Sequence, residues 1–219
     1  MTRVMAQSPA RADHGDVFVP LHDGSTALIR PIAPEDAAAL RRFHWTLSED
    51  TIRNRFMSAK PNLTSGDTRY LCRVDGVDHV AVVAVDPQRP EAILGVARWV
   101  RYPDAPHRAE AAFVVTDRMQ GTGVGSALAI ALADLALERG ITELTGSMLA
   151  DNLGSENLFR RMAGGDVAVK RMGITNDVTA VLPQRPGRLA AMAARRRMRP
   201  GVRTETHRRR HAWRHAVAA

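Results

Sequence analysis

Three glycines at alternate positions, Gly121, Gly123 and Gly125, stand in RMQGTGVGSALAIALADLAL (118–137), directly ahead of a run of Ala and Leu. Glycines at that density before a helix let backbone close on an anion: the first helical turn offers unpaired N–H donors and a positive dipole end, and no Cβ holds the ligand away. The stretch predicts phosphate binding by the backbone of Gly121, Thr122, Gly123, Val124, Gly125 and Ser126. It does not predict a nucleotide triphosphatase, because a P-loop needs a lysine after its last glycine and the chain holds only Lys60 and Lys170. Other residues capable of chemistry are scattered. Cys72 has no second cysteine to pair with and reads as a packing residue. His44 and His79 lie inside periodic runs, so no metal site is expected. Arg53 and Arg55, in TIRNRF, are placed either to face an acidic substrate or on a solvated helix face, and the second reading is adopted.

These residues need elements to hold them. STALIRPI (25–32) reads as a strand, and PEDAAALRRFHWTLS as a helix with Leu40, Phe43 and Leu47 on one face. SEDTIRNRFM is a second short helix, and KPNLTSGD a polar connection. HVAVVAVD (79–86), EAILGVARWVRY (91–102) and RAEAAFVVTD (108–117) follow as three strands with no helix between them, most simply an antiparallel meander. A helix from about 123 to 139 stops at Gly140. ITELTGSML is then a strand, SENLFRRM a helix, and DVAVKRM and VTAVL two last strands. The expected fold is an α/β (α+β) mixed, mostly antiparallel sheet of six to seven strands with helices on both faces.

That order bears on the glycines. A dinucleotide fingerprint opens a series of parallel βαβ units, whereas this loop follows three strands and has one clear crossover after it. The pyrophosphate of coenzyme A is the better ligand. VVTDRMQGTGVGSAL resembles motif A of the GNAT superfamily of N-acetyltransferases, Q/R-x-x-G-x-G/A, filled here by Gln120, Gly123 and Gly125. The flanking strand and helix, then ITELTGSMLADN and SENLFRRM, fall in that superfamily's order. LIRPIAPEDAAALRRFHWTLSEDTIRNRF, VDGVDHVAVVAV and AEAAFVVTDRMQGTGVG are more narrowly similar to the catalytic domain of bacterial protein-lysine acetyltransferases that modify acyl-CoA synthetases. Such proteins often carry extra regulatory domains, and none is expected here.

The resemblance implies an acetyl-CoA-dependent N-acetyltransferase acting on a primary amine, a protein lysine foremost, with no metal. It implies a splay between the strand before the loop and the strand after the helix, into which the pantetheine arm passes beside Phe113, Val114 and Val115. Backbone N–H groups of Val114 or Val115 would meet the developing oxyanion. A lysine of ordinary pKa near 10.4 is neutral only about four times in ten thousand at pH 7, so a base is needed. Glu110 matches the base-bearing strand; otherwise it is a strand-end carboxylate paired with Arg108 or Arg118. Asn152 matches the asparagine that binds the cofactor, or else caps the next helix. Ser155 either approaches the sulfur or is itself a cap. Phe159 stands where many relatives have a tyrosine that protonates the departing thiolate, so that acid is missing.

Charge divides the chain. Residues 183–219 hold eleven arginines, no lysine and one acid, Glu205, against a net charge of +8 for all 219 residues, so the remainder is close to neutral. The expected organisation is a flexible leader (1–20), a catalytic domain (21–182) and an arginine-rich tail (183–219), disordered or forming a short basic helix. Such a tail suits nucleic acid or an anionic surface. A rival function follows: an acyl-CoA-binding sensor without catalysis whose tail binds nucleic acid. One cysteine and the absence of a long apolar run read as a cytoplasmic protein without a transmembrane segment.

Overall fold

The structure is a computed structural model that describes residues 16–57, 62–185 and 187–197. Eight strands form one sheet. β1 (Val17–Pro20), β2 (Thr26–Pro31), β3 (His79–Asp86), β4 (Arg89–Tyr102) and β5 (Ala105–Val115) run antiparallel in that order. β5 then pairs in parallel with β6 (Glu143–Leu149), and β8 (Thr175–Val181) and β7 (Ala168–Met172) complete the order β1-β2-β3-β4-β5-β6-β8-β7.

The sheet is covered on both faces, which explains why β3 reads as an almost unbroken apolar run. Val80, Val82 and Ala84 point into one core, beneath α4 (Val124–Glu138) and α5 (Leu153–Ala163). Ala81, Val83 and Val85 point into the other, beneath α1 (Ala37–Trp45), α2 (Glu49–Phe56) and α3 (Ser65–Cys72). Arg30 clasps Asp36 through two 2.7 Å hydrogen bonds, fixing β2 against the turn that opens α1.

Two expectations are corrected. The sheet has eight strands rather than six or seven. The extra one is β1, in the supposed leader, where Val19 is fully buried and Val17–Pro20 pair with Thr26–Ile29. KPNLTSGD is not wholly a connection. Thr64 caps α3 by accepting from the Asp67 N–H at 3.1 Å, while the Asp67 carboxylate accepts from the Thr64 N–H at 2.9 Å.

The arginine-rich segment forms a helix, one of its two expected states, and this helix, α6 (Arg188–Arg197), is docked on the fold. Leu189 and Ala193, four residues apart, are buried against β1 and α4. The Leu189 N–H donates to Asp134 Oδ2 at 2.9 Å, and Arg188 donates to the Met162 and Arg161 carbonyls at the end of α5. The leader before residue 16 and the arginine clusters beyond residue 197 lie outside the described residues.

Candidate active site

β5 and β6 are paired only at Arg108–Glu143, Ala109–Leu144 and Glu110–Thr145. Beyond that rung both strands continue without partnering each other, β5 to Val115 and β6 to Leu149, so the sheet opens. Phe159 holds the opening. Its ring is 2% exposed, stands edge-on to Phe113 at 5.8 Å between centroids, and lies over Gly146, where an added Cβ would be 2.5 Å from the ring's Cζ and 3.1 Å from the Ala111 carbonyl oxygen. Only glycine leaves room for that ring. The position expected to lack an acid is therefore a wedge of the core.

Strand alternation decides which backbone donors face the gap. The Thr116 N–H donates to the Leu94 carbonyl at 3.0 Å, and the Val114 carbonyl oxygen lies against Gly95, so the backbone of Val114 and Thr116 turns to β4. That of Phe113 and Val115 turns to the opening. Of the two expected oxyanion donors, Val114 is thus excluded and Val115 stays available.

The glycine loop sits at the cleft's other end. Gly121 and Gly123 have φ of 77° and 100°, a region unfavourable to side chains. The carbonyls of Gly121 and Thr122 turn to His22, which reaches them through its Nδ1 (3.3 Å) and its N–H (2.8 Å). The first α4 bond of the loop runs from the Ala127 N–H to the Gly123 carbonyl. The N–H groups of Val124, Gly125 and Ser126 precede it, have no hydrogen-bond acceptor among the described residues, and can meet an anion. Val124 can act only through its backbone, since its side chain is fully buried. Gly125 has a packing reason as well: a Cβ there would be 3.2 Å from Leu158.

The second helix is fastened to this loop. Ser48 caps α2 and donates its hydroxyl to Asp117 at 2.6 Å, its N–H donates to the same carboxylate at 3.0 Å, and the Thr51 hydroxyl at 2.8 Å. Gln120 Nε2 donates to Thr51 Oγ1 at 3.1 Å, so this motif residue holds α2 as well as facing the cleft. Burial pushes the Asp117 carboxyl up, but the hydrogen bonds from Ser48 and Thr51 outweigh it and hold the pKa below the usual value.

The resulting cleft, about 300 Å³, is lined by Phe113, Val114, Val115, Gln120, Gly121, Gly125, Asn152 and Ser155 among the expected residues. Asn152 caps α5, accepting the Ser155 N–H at 3.0 Å, so the cap is Asn152 and not Ser155. Thr51, Asn54, Met119, Gly154 and Leu158 also line it and were not anticipated as site residues; Arg55 lines it too, against the adopted reading of a solvated helix face. No local motif marks α2 as a wall of the cleft; the Ser48–Asp117 contact that puts it there spans 69 residues.

Glu110 lies at the last paired rung, exposed, and lines no part of the cleft. By alternation it shares the α1–α3 face of the sheet with Ala112 and Val114. Arg108 pairs instead with Glu143 at 3.1 Å, and no ion pair holds Glu110 among the described residues. Arg55 is near enough for its cation to feel the Glu110 charge. Cys72 is buried and its thiol is pushed up to about 11, chiefly by desolvation, as befits a packing residue. Among the described residues no cluster suited to a metal occurs, and no helix is long and apolar enough to cross a membrane.

Comparison with known proteins agrees with this geometry. The family model for the acetyltransferase (GNAT) domain matches residues 27–163. The chain is 31% identical over 144 residues to acetyltransferase Pat of Mycolicibacterium smegmatis, covering 66% of this chain and 43% of that protein. The GNAT domain of S. lividans PAT superposes with a TM-score of 0.69 at 30% identity, covering 80% of this chain and all of that one. A cAMP-binding acyltransferase from Mycobacterium smegmatis superposes at 0.55 with 25% identity, covering 84% of this chain and 54% of that one. The chain thus spans about half the length of these two mycobacterial relatives or less. With nearly all of β2 and everything from there through α5 inside the family match, the chain belongs to the GNAT acetyltransferase family.

Proposed function

We propose that this protein transfers an acetyl group from acetyl-CoA to a protein lysine by direct attack of the amine, with Glu110 as general base. The observation that carries the proposal is the end of β5–β6 pairing at Glu110–Thr145. It leaves one continuous cleft from the unpaired N–H groups of the glycine loop to the strand that bears the carboxylate. In this reading Gly121 to Ser126 hold the pyrophosphate, and Asn152 and Ser155 line the pantetheine path. The Val115 N–H stabilises the oxyanion. The resemblance of LIRPIAPEDAAALRRFHWTLSEDTIRNRF and AEAAFVVTDRMQGTGVG to bacterial protein-lysine acetyltransferases supports a protein lysine, and an acyl-CoA synthetase is the first substrate to try.

The base acts through a water, since Glu110 lies outside the cleft lining. Phe159 has no hydroxyl to protonate the thiolate, which leaves either unaided or beside the Ser155 hydroxyl on α5. A thiol of ordinary pKa near 8.5 is a tolerable leaving group. Release of free thiol from acetyl-CoA over lysine-bearing proteins, with mass spectrometry to locate the acetylated residue, tests the reaction. Glu110→Gln is expected to lower kcat at neutral pH by about 100-fold or more and leave acetyl-CoA affinity unchanged; equal turnover would remove Glu110 from the mechanism. The missing acid also favours a second reading, an acyl-CoA sensor whose arginine-rich tail binds nucleic acid. It predicts tight acetyl-CoA binding with no thiol release from any acceptor.

A further inference from the structure

Arg53 and Arg55 stand two apart on α2, yet their fates differ. Arg53 is exposed and pairs with Asp50 at 3.2 Å. Arg55 turns inward and lines both the acyl cleft and a smaller cavity of about 30 Å³ beneath α1–α3, where Arg98 and His44 also contribute. Its cation lies 4.9 Å from the Phe56 ring centroid, and among the described residues no hydrogen bond or ion pair takes up its guanidinium. Desolvation lowers its pKa from the ordinary arginine value, and the nearby Glu110 charge opposes that shift.

Behind it, Arg98 is 8% exposed, meets His79 Nε2 at 3.2 Å and donates to the Leu71 carbonyl at 3.3 Å, with no carboxylate paired to it among the described residues. Desolvation, and then the nearby Arg55 cation, bring Arg98 down to about 10, so it stays charged at neutral pH. Two guanidinium groups thus line one small cavity, and the charge of Glu110 reaches Arg55 from outside it. A half-buried cation with no hydrogen-bonding or ionic partner is costly, and Arg55 lines the cleft. Arginine offers a planar fork that matches a carboxylate.

We propose that Arg55, backed by the charge of Arg98, is the acceptor-recognition residue of the cleft, and that it binds a carboxylate close to the reacting amine: an Asp or Glu flanking the target lysine. The proposal rests on the reading that the cleft delivers an acyl group to an amine, and it names the class of acceptor. Arg98 acts through Arg55, at one remove, by adding positive potential.

The test compares capped peptides Gly-Lys-Glu and Gly-Lys-Gln as acceptors, together with free lysine, whose own carboxylate is the other source of the same chemistry. The expected result is a KM at least tenfold lower for the acidic peptide than for its amide twin. The ratio should fall to about one in Arg55→Gln, survive in part in Arg55→Lys, and stay unchanged in Arg53→Gln. Thermal melting of each variant confirms that it is folded. A better rate with free lysine than with either peptide, lost in Arg55→Gln, moves the carboxylate from a flanking residue to a small amine. Equal KM values for the peptide pair, or a preference that persists in Arg55→Gln, overturn the proposal. So does a variant whose only defect is weaker acetyl-CoA binding.

A second readout needs no turnover. Ligand-observed NMR of the lysine-free peptide Gly-Glu-Gly, capped at both ends, with the CoA-loaded protein should show binding that Arg55→Gln abolishes. Binding without turnover would leave the carboxylate site standing and remove the transfer reaction; no binding would remove the site.

Discussion

At the scale of the residue, the site depends on side chains whose roles come from what they touch. Phe159 is the clearest case. Its ring occupies the space above Gly146 and against Phe113, so a hydroxyl on Cζ would enter a packed wedge rather than the pantetheine path. Phe159→Tyr is therefore expected to lower the melting temperature without raising kcat; a gain in turnover at unchanged stability would show that the ring has access to the sulfur. Gly146→Ala forces the same ring to move, and overpacking of this kind costs about 1–3 kcal/mol. Chemical denaturation of the variant, with acetyl-CoA affinity measured alongside, would show whether the opening between β5 and β6 changes with it. Glu110 contrasts with both: sequence pointed to the position, while its distance from the cleft lining and its nearness to Arg55 became visible only in three dimensions.

At the scale of the element, α2 and the glycine loop form one unit through Asp117. Its pKa is depressed in the folded protein, so the stabilisation from ionised Asp117 is present above the ordinary carboxylate range and is lost as pH falls through the lowered value. Acetyl-CoA affinity should thus hold between neutral pH and about 5 and weaken below about 4. Asp117→Ala should reproduce the weakened state at neutral pH, raising the acetyl-CoA Kd by about tenfold, the equivalent of one lost charged hydrogen bond. Titration calorimetry across that pH range measures both. An unchanged Kd in the variant would mean that the loop holds its shape without α2. The reading of SEDTIRNRFM as a helix was sound, but its periodicity carried no sign that one arginine would face water and the other the cleft.

At the scale of the whole molecule, α6 closes the fold. It lies against the first strand and against α4, with Leu189 and Ala193 in the core and Asp134 accepting the Leu189 N–H. Leu189→Ala should cost about 2 kcal/mol, near the low end for removing a buried leucine side chain, and lower Tm by roughly 5 °C. Unaltered melting would show that the helix is merely adjacent. Sequence left the segment between a solvated extension and a short basic helix, because its arginine density favours solvent while its Leu and Ala residues favour a helix, and no local signal shows what that helix packs on. Sequence by itself determined the meander, the crossover helix, the alternate glycines and the approximate place of Asn152, since these rest on local periodicity and on backbone conformations that only glycine adopts readily. Tertiary structure decided where β5 and β6 part, that Phe159 is a wedge, that Val114 turns to β4, and that Arg55 enters the cleft. Those outcomes depend on contacts between segments tens of residues apart, where packing volume and the register of neighbouring strands choose between orientations that the local sequence leaves equal.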